Sequence, residues 1–324
     1  MQALSKQSKS LIANHVSSLD KIVDMRLKSQ VPLVDEVVRY ILNSGGKRLR
    51  PILLLVSAGS VGFHGDRALE LAVAVEFIHT ATLLHDDVVD ESNARRGIQT
   101  ANIQFGNATS VLVGDFLYSR AFQIMVDVGE SRVFGVMADA TNDISEGEVL
   151  QLSQIGNLAL SEADYFRVVQ SKTSRLFEAA AQLGGILGGA ATHVENDLAV
   201  FGRHIGTAFQ IIDDVLDYIG DEAVLGKNLG DDLSEGKITL PLIHALNNGS
   251  NEHVEVVSRA IQGGDNVSFS DVLVALNDLG SIDYSLEKAA EETRSAIQRL
   301  SHLKESPSKQ CLIEMAQGSL SRVT

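Results

Sequence analysis

Apolar residues run along this chain in long, nearly unbroken blocks, at 68–90, 111–128, 164–187 and 198–219, each rich in Ala, Leu, Val and Glu. Blocks of that length exceed ordinary strands, and their composition favours helix. The prolines, Pro32, Pro51, Pro241 and Pro307, leave the blocks uninterrupted. No series of short alternating segments with turn signals accompanies them. The pattern predicts an all-α fold. Pro/Gly/Ser-rich tracts, low-complexity runs and blocks of like charge are missing, so residues 1–324 read as one domain.

Two of the apolar blocks carry the same acidic interruption. Asp86-Asp87-Val88-Val89-Asp90 closes the first, and Asp213-Asp214-Val215-Leu216-Asp217 lies near the end of the last. On a helix, positions i and i+4 share a face, so Asp86 points with Asp90 and Asp213 with Asp217. A solvated face is the ordinary reading of such clusters, but Ala81 to Leu84 and Phe209 to Ile212 offer almost no other polar surface. Like charges a turn apart repel, and partly buried charge is expensive without a partner. A cation resolves the conflict: ligands that are all oxygen suit Mg²⁺ or Mn²⁺, which take a few carboxylates together with substrate phosphates and water.

The formal net charge of −15 excludes an ordinary nucleic-acid binder, because phosphate backbones select basic faces. An anionic small molecule remains compatible, since the cations cluster beside the acidic pairs. Gly45-Gly46-Lys47-Arg48-Leu49-Arg50-Pro51 leads into an apolar run, Arg95-Arg96-Gly97 follows the first acidic motif, and Gly226-Lys227 and Gly236-Lys237 follow the second. Arg and Lys bind phosphate through charge-assisted hydrogen bonds. Any one of these segments alone is a surface loop; together they describe two diphosphates, one held through metal and one directly. No Ser-His or Cys-His arrangement suggests an enzymic nucleophile. Lone Cys311 rules out an internal disulfide. Met1 to Val16 lacks the basic and apolar regions of a signal peptide, and charges such as Glu70, Glu76 and Asp115 break the apolar blocks. A cytoplasmic protein with no transmembrane segment is expected.

The order Gly-Gly-Lys-x-x-Arg-Pro at Gly45 to Pro51, Asp-Asp-x-x-Asp with Arg-Arg-Gly at Asp86 to Gly97, Lys172-Thr173, and Phe-Gln before a second Asp-Asp-x-x-Asp at Phe209 to Asp217 resembles the trans-polyprenyl diphosphate synthases over nearly the whole chain. The resemblance implies a helical bundle around a deep central cavity, usually as a homodimer. It also implies head-to-tail addition of isopentenyl diphosphate to an allylic diphosphate such as farnesyl diphosphate. By motif position, Asp86, Asp90 and Asp213 are then the direct Mg²⁺ ligands, with Asp87, Asp214 and Asp217 as further ligands or water-holding neighbours. Arg95, Lys172, Thr173, Gln210, Lys227 and Lys237 hold the allylic diphosphate; Lys47, Arg50, His79 and Arg96 hold isopentenyl diphosphate. Asp86, Asp90, Asp213, Lys172 and Lys227 carry the chemistry. A lone His among Phe77, Ile78 and Leu83 is commonly a satisfied core residue, but Glu76-Phe77-Ile78-His79-Thr80 resembles the family segment before the first motif.

Short-chain members of the family place an aromatic residue four or five positions before the first Asp, where it blocks the growing chain. Here those positions are Thr82 and Ala81, with Ile78 below, so the product is expected to exceed fifteen carbons. Phe122, Met125 and Met137 are candidates for a floor, although such residues at helical spacing are more often plain core. Glu76 to Asp90 and Gly114 to Gln123 are most similar to bacterial octaprenyl diphosphate synthases, which supply quinone side chains. Other chain lengths, from geranylgeranyl to decaprenyl, are the near alternatives. A terpene cyclase needs one diphosphate site rather than two, and a non-catalytic partner subunit would be expected to lack one acidic motif.

Overall fold

A computed structural model describes residues 4–95, 97–220, 229–263 and 267–320. Its first ten helices are α1 (Lys6–Arg26), α2 (Pro32–Asn43), α3 (Leu49–Ser60), α4 (Asp66–Val89), α5 (Ala101–Phe105), α6 (Asn107–Val128), α7 (Ser131–Ser153), α8 (Glu162–Val169), α9 (Arg175–Leu187) and α10 (Thr192–Ile219). Helices Asp231–Ser234, Leu240–Asn248, Asn251–Ile261, Phe269–Asp278, Ser281–Arg299 and Pro307–Leu320 follow. The all-α expectation holds.

Helix α4 is apolar on every side and takes the centre. Leu71, Val73, Phe77, Ile78 and Leu84 have no accessible surface, and each such burial is worth about 1.5–3 kcal/mol. Among the described residues it is the one helix long and apolar enough to cross a membrane, but 67% of that stretch is buried within the protein, and the acidic motif closes it. It packs along α6, while α10 packs along α9 and Ser281–Arg299, and α3 with α9 joins the two halves. Glycines set the closest approaches: a Cβ at Gly202 of α10 would stand 2.4 Å from the Phe177 carbonyl oxygen, and one at Gly184 of α9 would stand 2.6 Å from that of Leu54. Either substitution must push helices apart in a core that is already close-packed.

Two local features depart from the pattern. The loop after the first acidic motif forms a two-residue hairpin, with Ala94 opposite Gln99 and Arg95 opposite Ile98. Gly97 supplies the positive φ, +79°, that its tight turn requires. The apolar block at 164–187 is not one helix either, because a π-helical turn, Gln170–Ser174, separates α8 from α9. Ser174 explains part of this, since its hydroxyl bonds the Val169 carbonyl and Thr207 of α10. Gly147 of α7 explains more: a Cβ there would meet the Lys172 nitrogen at 2.8 Å. Such wide turns commonly mark functional positions, and this one carries Lys172 and Thr173.

Candidate active site

Helix α4 ends at the first acidic motif. The Asp90 amide still bonds the Asp86 carbonyl at 2.8 Å, so the two side chains share a face as their spacing requires. Asp87 points elsewhere: it is 1% exposed, and its Oδ1 accepts from Arg95 Nε at 3.0 Å and Nη2 at 2.7 Å. The hairpin thus returns Arg95 to the motif that precedes it.

The second motif is divided in the same way. Asp214 is 4% exposed and accepts from Tyr165 Oη at 2.6 Å and Gln210 Nε2 at 2.7 Å. Asp217, with no accessible surface, accepts from the Asp232 amide at 3.1 Å and holds the segment after α10. Asp213 alone of the three is half-buried. Asp87, Asp214 and Asp217, expected as further ligands or water-holding neighbours, are each engaged by protein donors. Buried carboxylates need such donors, and the second residue of each motif points inward from its helix.

Lysines connect the two halves. Lys237 Nζ lies 3.0 Å from Asp90 Oδ2 and also pairs with Glu235. Lys172 Nζ donates to Glu148 Oε2 at 2.6 Å and to Gln151 Oε1 at 2.8 Å. Glu148 and Gln151 of α7 were missed by the sequence reading; a carboxylate and an amide three positions apart share a helix face, but among Ser145, Glu146 and Ser153 they carry no distinct signal. Burial, with Glu148 and Asp90 nearby, pushes the Asp86 carboxyl up to about 6, although Lys172 and Arg95 oppose it. Burial tends to lower the Lys237 ammonium, but Asp90 and Glu235 more than reverse this and raise it.

On the isopentenyl side, Arg50 Nη1 stands 3.1 Å from His79 Nε2. Arginine has no acceptor, so the imidazole accepts and the ring proton lies on Nδ1. The Arg50 guanidinium lies 4.4 Å from the Phe177 ring centroid, and its buried Nε has no hydrogen-bond partner. Burial pushes it down to about 10, with Glu76 and Asp213 opposing. Arg48 turns the other way and pairs with Asp20 of α1 at 2.5 Å. Lys47 remains exposed beside it. Arg96 and Lys227 lie outside the described residues.

A cavity of about 130 Å³ lies between α7, α8, α10 and residues 231–239. Lys172, Thr173, Gln210, Asp214 and Lys237 line it, whereas Asp86, Asp90 and Asp213 do not. Lys237, on its wall, also pairs with Asp90 of the first acidic motif. Below Asp86, Ile78, Ala81, Met125 and Met137 have no accessible surface and belong to one core with Leu117 and Ala140. Thr82 and Phe122 are half-buried.

Among the described residues no three His, Cys, Asp or Glu side chains converge on one point by themselves. The donor chemistry nonetheless fits a divalent ion. Asp86, Asp90 and Asp213 are oxygen donors in an anionic, half-buried setting that already draws two ammonium groups, and Mg²⁺ completes its shell with substrate phosphate and water.

The polyprenyl synthetase family pattern matches residues 31–278. The octaprenyl diphosphate synthase of Escherichia coli is 48% identical over 96% of this chain and 97% of its own. The all-trans-nonaprenyl-diphosphate synthase (geranyl-diphosphate specific) of Rhodobacter capsulatus is 42% identical over 96% of each. In structure, a polyprenyl synthase from Caulobacter crescentus, complexed with calcium and isoprenyl diphosphate, superposes with a TM-score of 0.94 at 38% identity, covering 98% of both chains. A family pattern over most of the chain, relatives at this identity and the paired acidic helix ends agree: the chain belongs to the polyprenyl synthetase family and is a prenyltransferase.

Proposed function

We propose that this protein condenses isopentenyl diphosphate, repeatedly and head to tail, with an allylic diphosphate such as farnesyl diphosphate, and that its product is the all-trans octaprenyl diphosphate. The observation that carries the reading is the division of cations into two sets. Lys237 pairs with Asp90 of the first acidic motif and Lys172, paired with Glu148 of α7, acts on Asp86 through its charge, while Arg50 and His79 form a separate pair with an unspent Arg50 Nε–H. Two diphosphates therefore have two receptors.

Arg50, His79 and Lys47, with Arg96, hold isopentenyl diphosphate. Lys172, Lys237, Thr173, Gln210 and Arg95, with Lys227, hold the allylic diphosphate. Asp86, Asp90 and Asp213 are the residues that would hold Mg²⁺, which when bound neutralises charge on the departing diphosphate. The allylic carbon–oxygen bond breaks, and the lysine ammonium groups stabilise the negative charge that leaves with its oxygen. The double bond of isopentenyl diphosphate forms the new carbon–carbon bond, and a proton is lost to the departed diphosphate.

The octaprenyl length rests on two supports. The E. coli octaprenyl enzyme is 48% identical, and small Ala81 and Thr82 stand where a blocking aromatic residue would shorten the chain. Decaprenyl and nonaprenyl products are the competing reading. A role in supplying quinone side chains, in the cytoplasm, belongs to the same proposal. A homodimer is supported by α6, where Leu112, Phe116 and Val126 fall on one stripe and Leu112 and Val126 are 67% and 62% exposed. Transfer of labelled isopentenyl units to farnesyl diphosphate tests the reaction. Asp86→Ala and Asp213→Ala should abolish transfer with helical content unchanged; transfer at the normal rate by either variant removes the metal assignment.

A further inference from the structure

We propose that Tyr165 is a positioning residue for the allylic diphosphate, acting through Asp214 on Gln210 and Thr173. The inference rests on the reading that Gln210 and Thr173 hold that diphosphate. It adds to the site a residue with no charge and no place in any of the acidic or basic motifs.

Four side chains from three elements form one hydrogen-bonded chain. Tyr165 of α8 donates to Asp214 Oδ2 at 2.6 Å, Gln210 of α10 donates through Nε2 to Asp214 Oδ1 at 2.7 Å, and Thr173 of the π-helical turn donates to Gln210 Oε1 at 2.9 Å. The direction of each bond follows from the chemistry of Asp214. Burial and Asp232 push this carboxyl up, while the Tyr165 and Gln210 donors favour its ionised form; ionised, it only accepts, so the Gln210 amide presents nitrogen to it and the amide oxygen faces Thr173. A flipped amide would set oxygen against a buried carboxylate. The remaining Nε2 proton of Gln210 is the one it has to give to a phosphate oxygen.

Asp214 can impose this only if it cannot rotate. Tyr165 provides that restraint, because its hydroxyl takes the second oxygen, and both residues are buried, at 5% and 4% exposure. Tyr165 is itself fixed. Ser161 caps α8 by accepting from the Asp164 amide at 3.1 Å, the Tyr165 amide bonds the Ser161 carbonyl at 3.0 Å, and the Phe166 ring meets the Tyr165 ring edge-on at 5.4 Å. The same side chains line the 130 Å³ cavity. Without the hydroxyl, Asp214 Oδ2 would face that cavity with space to turn, and Gln210 would lose its fixed orientation. Partners that orient ligating groups in this way typically contribute factors of roughly 10–100.

The test uses the full-length protein with Mg²⁺ and measures calorimetric binding of farnesyl thiodiphosphate, an analogue whose carbon–sulfur bond ionises slowly. Tyr165→Phe is expected to weaken binding about tenfold, to raise KM for farnesyl diphosphate by a similar factor, and to leave KM for isopentenyl diphosphate unchanged. Val168→Ala, on the same cavity wall but outside the hydrogen-bonded chain, should leave analogue affinity at the wild-type value. If Tyr165→Phe does not fold, Tyr165→Met, which fills similar volume without a hydroxyl, replaces it. Wild-type affinity in the folded Tyr165 variant overturns the inference, as does an equal loss for both substrates or an equal loss in Val168→Ala. Should the wild type bind the analogue but fail to elongate, the proposed function falls while analogue affinity still decides the role of Tyr165. A wild type that does not bind the analogue overturns both.

Discussion

Lys237 Nζ stands 3.0 Å from Asp90 Oδ2 across 147 residues of sequence, and this one contact joins the segment after α10 to the end of α4. It places a fixed positive charge at the first acidic motif. Asp90 is half-buried, so the pair is shielded from solvent more than a surface ion pair would be.

Replacing Lys237 by Met should therefore lower kcat/KM for farnesyl diphosphate by about 10²-fold, the usual cost of removing one preorganised charge from a developing anion. Lys237→Arg should recover part of it. Steady-state kinetics at saturating isopentenyl diphosphate give the answer; a Met variant within threefold of wild type would deny the lysine a role in ionisation.

Arg95 has a second duty that its motif does not reveal. Its guanidinium covers Asp87, which is 1% exposed, so Arg95→Ala leaves a buried carboxylate without its donors. A stability loss of about 3 kcal/mol is expected in urea unfolding, besides any loss of substrate affinity. Unchanged stability would mean that Asp87 finds another donor.

Arg50 is held charged at a site that burial disfavours, with Nε unsatisfied. Isopentenyl diphosphate should meet that need and raise the melting temperature. At a hundredfold excess over its Kd the ligand adds about 2.7 kcal/mol. Arg50→Met should abolish the shift while remaining folded, and a wild-type shift in the variant would place isopentenyl diphosphate elsewhere.

Ala81 has no accessible surface and is packed within the same core as Met125 and Met137. Ala81→Tyr should shorten the product to about fifteen or twenty carbons and cost about 1–3 kcal/mol of stability through overpacking. Thin-layer analysis of the dephosphorylated products would show this. An unchanged product distribution would mean that the growing chain takes another path.

The helices were legible because apolar blocks of this length have few other solutions, and Asp86 with Asp90 was legible because a helix fixes what i and i+4 share. The inward turn of Asp87 and Asp214 was not. Which of two adjacent carboxylates faces the core depends on the donors that other elements bring, Arg95 from the hairpin and Tyr165 from α8. The π-helical turn escaped for a related reason. Its cause lies in Gly147 of another helix and in the Ser174–Thr207 bond, neither of which is a local signal. Glu148 and Gln151 sit on a helix with no motif, and only their meeting with Lys172 gives them meaning.

The most direct measurement is product chain length from purified protein given farnesyl diphosphate, labelled isopentenyl diphosphate and Mg²⁺, with and without EDTA. A product of about forty carbons, eight five-carbon units, that disappears when the metal is chelated is the expected result. Absence of any elongation while both substrates bind, or elongation that persists in EDTA, would contradict it.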